Sequence, residues 1–228
     1  MLATTERTDT ELKTDVLAEL TYEPTVQVAD IGVRVKDGVV TLNGNVTNYG
    51  EKRNAVLATK RVAGVKAIAD DIQVTLLESH SRTDGDIAAA AVNRLEWDLT
   101  IPKGAVIITV SGGRITLEGQ LEWWYQKESA EKAVQHLTGV KAVVNLITIK
   151  PKHGHSNIEA NITLAFKRSA ILDAEKIQVQ SEGDRITLRG KVKSYAERDE
   201  AERTAWSAPG VFSVDNQIEV EWFWGLTD

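Results

Sequence analysis

The 228-residue sequence predicts an α+β protein of three tandem α-β-β-α-β units, each a three-stranded sheet covered on one face by two helices. Three observations carry this. The segment Val40–Val46 (VTLNGNV) returns as Ile115–Leu121 (ITLEGQL) and as Ile186–Val192 (ITLRGKV), offset by 75 and then 71 residues. The pair Gly64-Val65 returns with the same offsets as Gly139-Val140 and Gly210-Val211. An aromatic does so too, at Tyr49, Trp124 and Tyr195. Landmarks in one shared register mark a tandem repeat whose copies are each one supersecondary unit. The units are placed at 1–78, 84–150 and 157–224, joined by short polar linkers (LESHSRTDG over 77–85, KPKHGHSN over 150–157) that favour a compact array.

Each element has its own signal. Leu12, Val16 and Leu20 recur at helical spacing, as do Ile87, Ala91 and Leu95, and then Ile158, Ile162 and Phe166, so every unit opens with an amphipathic helix. Asp9 or Thr10 is the predicted cap of the first. Two strands follow, Ile31–Val35 and Val39–Val46 in the first copy, around the turn Lys36-Asp37-Gly38. Alternation puts Val40, Leu42 and Val46 on one face and Thr41, Asn43 and Asn45 on the other. Asn48 with Glu51, and Ser194 with Glu197, have capping-box spacing at the start of a second helix. That helix ends at Gly64, Gly139 or Gly210, where glycine tolerates a positive φ. A last strand closes each unit over 65–74, 140–149 and 211–220. Gly44, Gly119 and Gly190 fall inside a strand, which marks a close backbone approach. Room for the crossing second helix is the expected reason. Units of about 65 residues sit near the lower size limit for folding alone, so they are expected to lean on one another through their uncovered sheet faces.

Composition narrows the function classes. The hydrophobic fraction of 42% with 26% charged residues is that of a folded globular chain. The absence of cysteine excludes disulfides, thiolate catalysis and Cys-ligated zinc. Twenty-seven Lys and Arg against 33 Asp and Glu give a net charge of −6, which argues against a nucleic-acid partner. Apolar runs such as Ile87–Val92 are far short of the roughly 20 residues of a transmembrane helix. Residues 1–11 show no basic n-region or apolar h-region, so the chain as given reads as cytoplasmic, or periplasmic if an export signal has been removed.

The repeated motifs resemble the BON domain family (bacterial OsmY and nodulation). The resemblance rests on the hairpin turn, the V/I-T-L-x-G-x-V/L strand, the E-x-x-x-A helix and the Gly-Val before the last strand. The helix motif is Glu51–Ala55 and Glu197–Ala201; the second copy substitutes Gln126 and keeps Ala130. The resemblance covers the chain from about Asp9 to Val220. It implies a non-catalytic α/β module linked with osmotic and general stress, with phospholipid membranes and envelope proteins, and in some relatives with potassium.

The residues themselves add candidates for binding but none for catalysis. No nucleophile sits in a recognised setting, and Gly112-Gly113 joins two strands, so it is a turn and not a phosphate cradle. His153 and His155 lack a third nearby ligand, so no metal site is assigned, and no cofactor is expected. Arg185, Arg189, Lys191 and Lys193 share the outward parity of one strand, a basic ladder suited to anionic lipid headgroups or to an acidic protein patch. All six Trp lie beyond residue 96. Trp123, at the capping position of a helix, and the tail Trp222-Phe223-Trp224 are candidates for an oligomer or partner interface. The chain therefore reads as a non-enzymatic, stress-related tandem protein that binds phospholipid surfaces or protein partners and self-associates as a homo-oligomer. The alternatives are a self-assembling oligomeric scaffold and, on the resemblance alone, a potassium-responsive binding protein.

Overall fold

A computed structural model describes residues 8–152 and 157–221. The first unit runs α1 (Asp9–Tyr22), β1 (Ile31–Lys36), β2 (Val39–Val46), α2 (Tyr49–Arg61) and β3 (Ala67–Val74). The second runs α3 (Asp84–Glu96), β4 (Val106–Ser111), β5 (Arg114–Leu121) and α4 (Trp124–Val134), and closes with β6 (Ala142–Asn145) and β7 (Thr148–Ile149). The third runs α5 (Ile158–Arg168), β8 (Ile177–Glu182), β9 (Arg185–Val192), α6 (Tyr195–Trp206) and β10 (Ser213–Val220). Each unit keeps its own sheet, with the V/I-T-L-x-G strand in the middle. The hairpin partner is antiparallel to it and the closing strand parallel, as a helical crossover requires.

The alternating strand pattern builds the core. Val40, Leu42 and Val46 are buried beneath α1 and α2 with Leu12, Val16, Leu20 and Ala55, and the other two units repeat this packing. The opposite sheet faces carry exposed side chains such as Arg34, Asn43, Gln120 and Arg189. Ala55, Ala130 and Ala201 are fully buried, where a small side chain lets helix and sheet approach closely.

Three expectations need correction. The cap of α1 is Thr8, whose hydroxyl accepts from Glu11 N–H at 3.2 Å while Glu11 accepts from Thr8 N–H at 2.8 Å. Asp9 instead reaches across to the hairpin turn, accepting from Asp37 and Gly38 N–H at 2.8 and 2.9 Å. Asp84 clamps Gly112 and Gly113 in the same way. The crowding at Gly44, Gly119 and Gly190 comes from a neighbouring strand and not from the second helix. Their φ values are 135°, 150° and 141°, and a Cβ would overlap the carbonyl oxygens of Asp30, Ala105 and Lys176, where the chain enters the first strand. Gly64, Gly139 and Gly210 take φ of 84°, 95° and 89° in the turns after the second helices.

The third correction concerns how the units meet. They join through their second helices, and the sheet faces stay outside. Tyr49, at the start of α2, packs on the core of the second unit. Trp124, at the same place in α4, stacks on Trp206 of the third unit at 4.7 Å and 11°. Tyr195, at the same place in α6, packs on the core of the first unit and donates its O–H to the Lys66 carbonyl. The junctions thus run first to second, second to third and third to first, closing a ring. Ion pairs bridge two of them: Arg53 with Glu131 at 3.7 Å and Lys60 with Asp199 at 2.6 Å. Burial and the nearby Glu131 carboxylate push the Tyr49 phenol up, against a backbone hydrogen bond from Val143.

Candidate functional site

The open face of the third sheet is the candidate site. β9 is its central strand, so residues of outward parity on β9 stand between those of β8 and β10. Arg189 donates from Nε to Gln217 Oε1 at 2.9 Å and from Nη1 to Gln180 Oε1 at 3.3 Å. Its guanidinium is thereby pinned across all three strands by neutral amides and keeps its charge uncancelled. Arg185 lies over the Phe212 ring at 5.6 Å, a cation–π contact. Lys191 Nζ stands 4.0 Å from Glu221 Oε1 in a loose, solvent-exposed pair.

Two features bound this ladder. Lys193 is not part of it: β9 ends at Val192, and the Lys193 carbonyl accepts from Gly64 N–H at 3.2 Å, at the junction with the first unit. The cations also have acidic neighbours, since Glu182 lies opposite Arg185 and Glu219 opposite Lys191. The face is therefore a short basic stripe with an acidic border. It can hold anionic groups along the stripe, and the acidic border confines that contact to the middle strand.

The aromatic candidates divide. Trp123 is half-buried and stacks on Tyr125 at 6.4 Å and 24°. Trp222, Phe223 and Trp224 lie outside the described residues, as do His153 and His155. The exposed aromatic that stands out is Trp97, 85% exposed at the end of α3, with Leu99 beside it at 98%. The 75-residue offset maps Trp97 onto Tyr22, itself 83% exposed, so the register could have flagged this position.

A repeated polar brace also escaped sequence reasoning. Lys52 Nζ donates to the Ile72 carbonyl at 2.7 Å and pairs with Asp70 at 3.1 Å. Lys127 donates to the Ile147 carbonyl at 2.7 Å, and Arg198 to those of Ile218 and Asn216 at 3.1 and 2.8 Å. Asn145 and Asn216, at the Asp70 position, each accept from the N–H two residues on. Burial pushes the Lys127 ammonium down, with Glu131 and Glu202 opposing it. The brace ties the second helix to the closing strand and so fixes the sheet that displays the ladder. Its signal in the sequence was a cation three residues after the repeated aromatic, with Asp or Asn 18 residues further on.

The BON domain model matches this chain three times, over residues 8–75, 83–151 and 155–221. The chain belongs to the BON domain family. Osmotically-inducible protein Y of Escherichia coli K12 is 28% identical to this chain over 146 residues, spanning 62% of this chain and 73% of the relative. Among solved structures, CdsD, a structural protein of the type III secretion system of Chlamydia trachomatis, aligns over 92% of each chain at 15% identity with a TM-score of 0.26. Among the described residues no cluster of His, Asp and Glu could hold a metal ion, and no helix is long and apolar enough to cross a membrane.

Proposed function

We propose that this BON protein is a non-enzymatic, stress-related binding protein whose third unit binds the headgroups of anionic phospholipid at a membrane surface. The observation that carries the reading is the exposed stripe of Arg185, Arg189 and Lys191 on the middle strand of an uncovered sheet face, with Arg189 held flat by two glutamines. Guanidinium groups so held match phosphate oxygens in geometry and charge. The link with osmotic stress comes from the 28% identical relative, whose name states that it is osmotically inducible. The units taken as binding modules are 1–78, 84–150 and 157–224, and self-association through the tail at 222–224 belongs to the same proposal. The test is co-sedimentation with phosphatidylcholine vesicles, with and without phosphatidylglycerol. Binding is expected only to the anionic vesicles, to fall with added salt, and to weaken in R189E/K191E. Equal binding by that variant at all salt concentrations would remove the stripe from the function.

A further inference from the structure

A second cationic site lies away from the ladder, where the first and second units meet. A cleft of about 510 Å³ opens between the end of β3 and the β4–β5 hairpin. Lys52 lines it from the first unit, and Arg114, Lys141 and the Ser111 hydroxyl from the second. No carboxylate lines it. The adjoining cleft, of about 640 Å³, shares Lys141 and adds Arg82 with Glu78 and Asp84. Asp84 is occupied by the backbone N–H groups of Gly112 and Gly113.

The three cations are differently engaged. Lys52 is fixed by the Ile72 carbonyl and by Asp70, so it is preorganised and half neutralised. Arg114 and Lys141 are exposed and form no ion pair with any described residue. Arg114 pairs in register with Ala142, while the Lys141 methylenes pack over Gly113, so the two cations reach the cleft from adjacent strands. Three positive charges against the carboxylates of Asp70 and of Asp84, which holds Gly112 at the rim, leave a local excess of one. Cations held close together in a cleft repel one another, and a bound anion removes that repulsion.

The repeat supplies an internal comparison. By the 75- and 71-residue offsets, the trio of Lys52, Arg114 and Lys141 corresponds to Lys127, Arg185 and Phe212 at the second junction. At the third junction it corresponds to Arg198, Val39 and Lys66. Each of those lacks one cation. The full set is therefore particular to the first junction and does not follow from the fold.

We propose that this cleft binds a phosphate monoester dianion between the first and second units. Arg114 presents a planar fork of donors to two phosphate oxygens, Lys141 and Lys52 supply point charge, and Ser111 donates from its hydroxyl. The volume accommodates a phosphate with a small organic substituent. The proposal is independent of the reading of the β9 face, which lies on another unit.

The test is calorimetric titration of the full chain with inorganic phosphate and with sn-glycerol 3-phosphate, beside co-sedimentation with phosphatidylcholine vesicles carrying phosphatidic acid. Saturable binding of both soluble anions is expected, weakened at least about tenfold in R114Q/K141Q. Both side chains are exposed, and an unchanged melting curve would confirm that this variant folds. If R114Q/K141Q also loses the phosphatidic acid vesicles, the dianion is a lipid headgroup. If it loses only the soluble anions, the ligand is a free ester. R189E/K191E is expected to leave the phosphate titration in place, which separates this site from the ladder. No saturable binding of phosphate by the native chain, or equal binding by R114Q/K141Q, would overturn the proposal.

Discussion

Asp9 shows how one exposed carboxylate organises a turn. The backbone N–H groups of Gly38 and Asp37 hold it below the ordinary aspartate value of 3.8. A carboxylate with a depressed folded value contributes its full stabilisation above the unfolded value and loses it as pH falls through the folded one. An NMR titration read at the Gly38 amide should therefore have its midpoint below 3.8 and lose the inflection in D9N; a midpoint at or above 3.8 would rule out the clamp. At Gly119 the constraint is steric. G119A places a Cβ against the Ala105 carbonyl at a φ of 150°, and should cost about 1–3 kcal/mol in urea unfolding. The strand motif made Gly119 legible as a tight spot. It could not say what crowds it, because Ala105 lies outside the repeated motif and only register brings it near.

Helices and central strands were readable because their periodicity is local. Leu12, Val16 and Leu20 announce a buried stripe whatever surrounds them, and all three are buried. The closing strand was less legible. Read as a single run over 140–149, it starts two residues later and breaks between Asn145 and Thr148. Valine and isoleucine content gives no warning of this, and neither does the polar brace, which β3 and β10 carry while running unbroken. Asn145 accepts from Ile147 N–H at 3.3 Å and donates to the Lys127 carbonyl at 2.9 Å, while Lys127 takes the Ile147 carbonyl. N145A should destabilise the second unit by about 1–3 kcal/mol, because partly buried backbone groups lose their partners. Hydrogen exchange should rise first at Ile147; protection there unchanged in N145A would show that the brace contributes little. The ladder was legible by strand parity for Arg185, Arg189 and Lys191. Lys193 was misplaced because parity alone does not reveal where a strand stops.

The assembly of units was the least legible level. The repeated aromatic was visible in the sequence, yet its role depends on what faces it in the next unit. Trp206 has no counterpart aromatic in the other copies, where Lys60 and Gln135 hold its place. A double-mutant cycle between W124A and W206A should give a coupling of about 0.5–1.5 kcal/mol. Additive effects would contradict the stacked junction. Both indole N–H groups are buried without a protein acceptor, so W206F should retain more stability than W206A by preserving an aromatic ring. For the tail, removal of residues 222–228 should lower the oligomeric state in sedimentation velocity without shifting the melting curve. A native chain that sediments as a monomer at tens of micromolar would refute the intersubunit contact.

Closure of the ring makes the covalent path between units redundant. The first and third units touch through Tyr195, Lys66, Lys60 and Asp199, although no linker joins them directly. The second and third are held by a stacked tryptophan pair as well as by the chain. A single cut in the segment 77–83 would therefore leave the two fragments bound to each other along both the first–second and the third–first junctions. Nicked protein should elute from a sizing column as one species and separate only in denaturant, so a protease could sever this polypeptide without dismantling the particle.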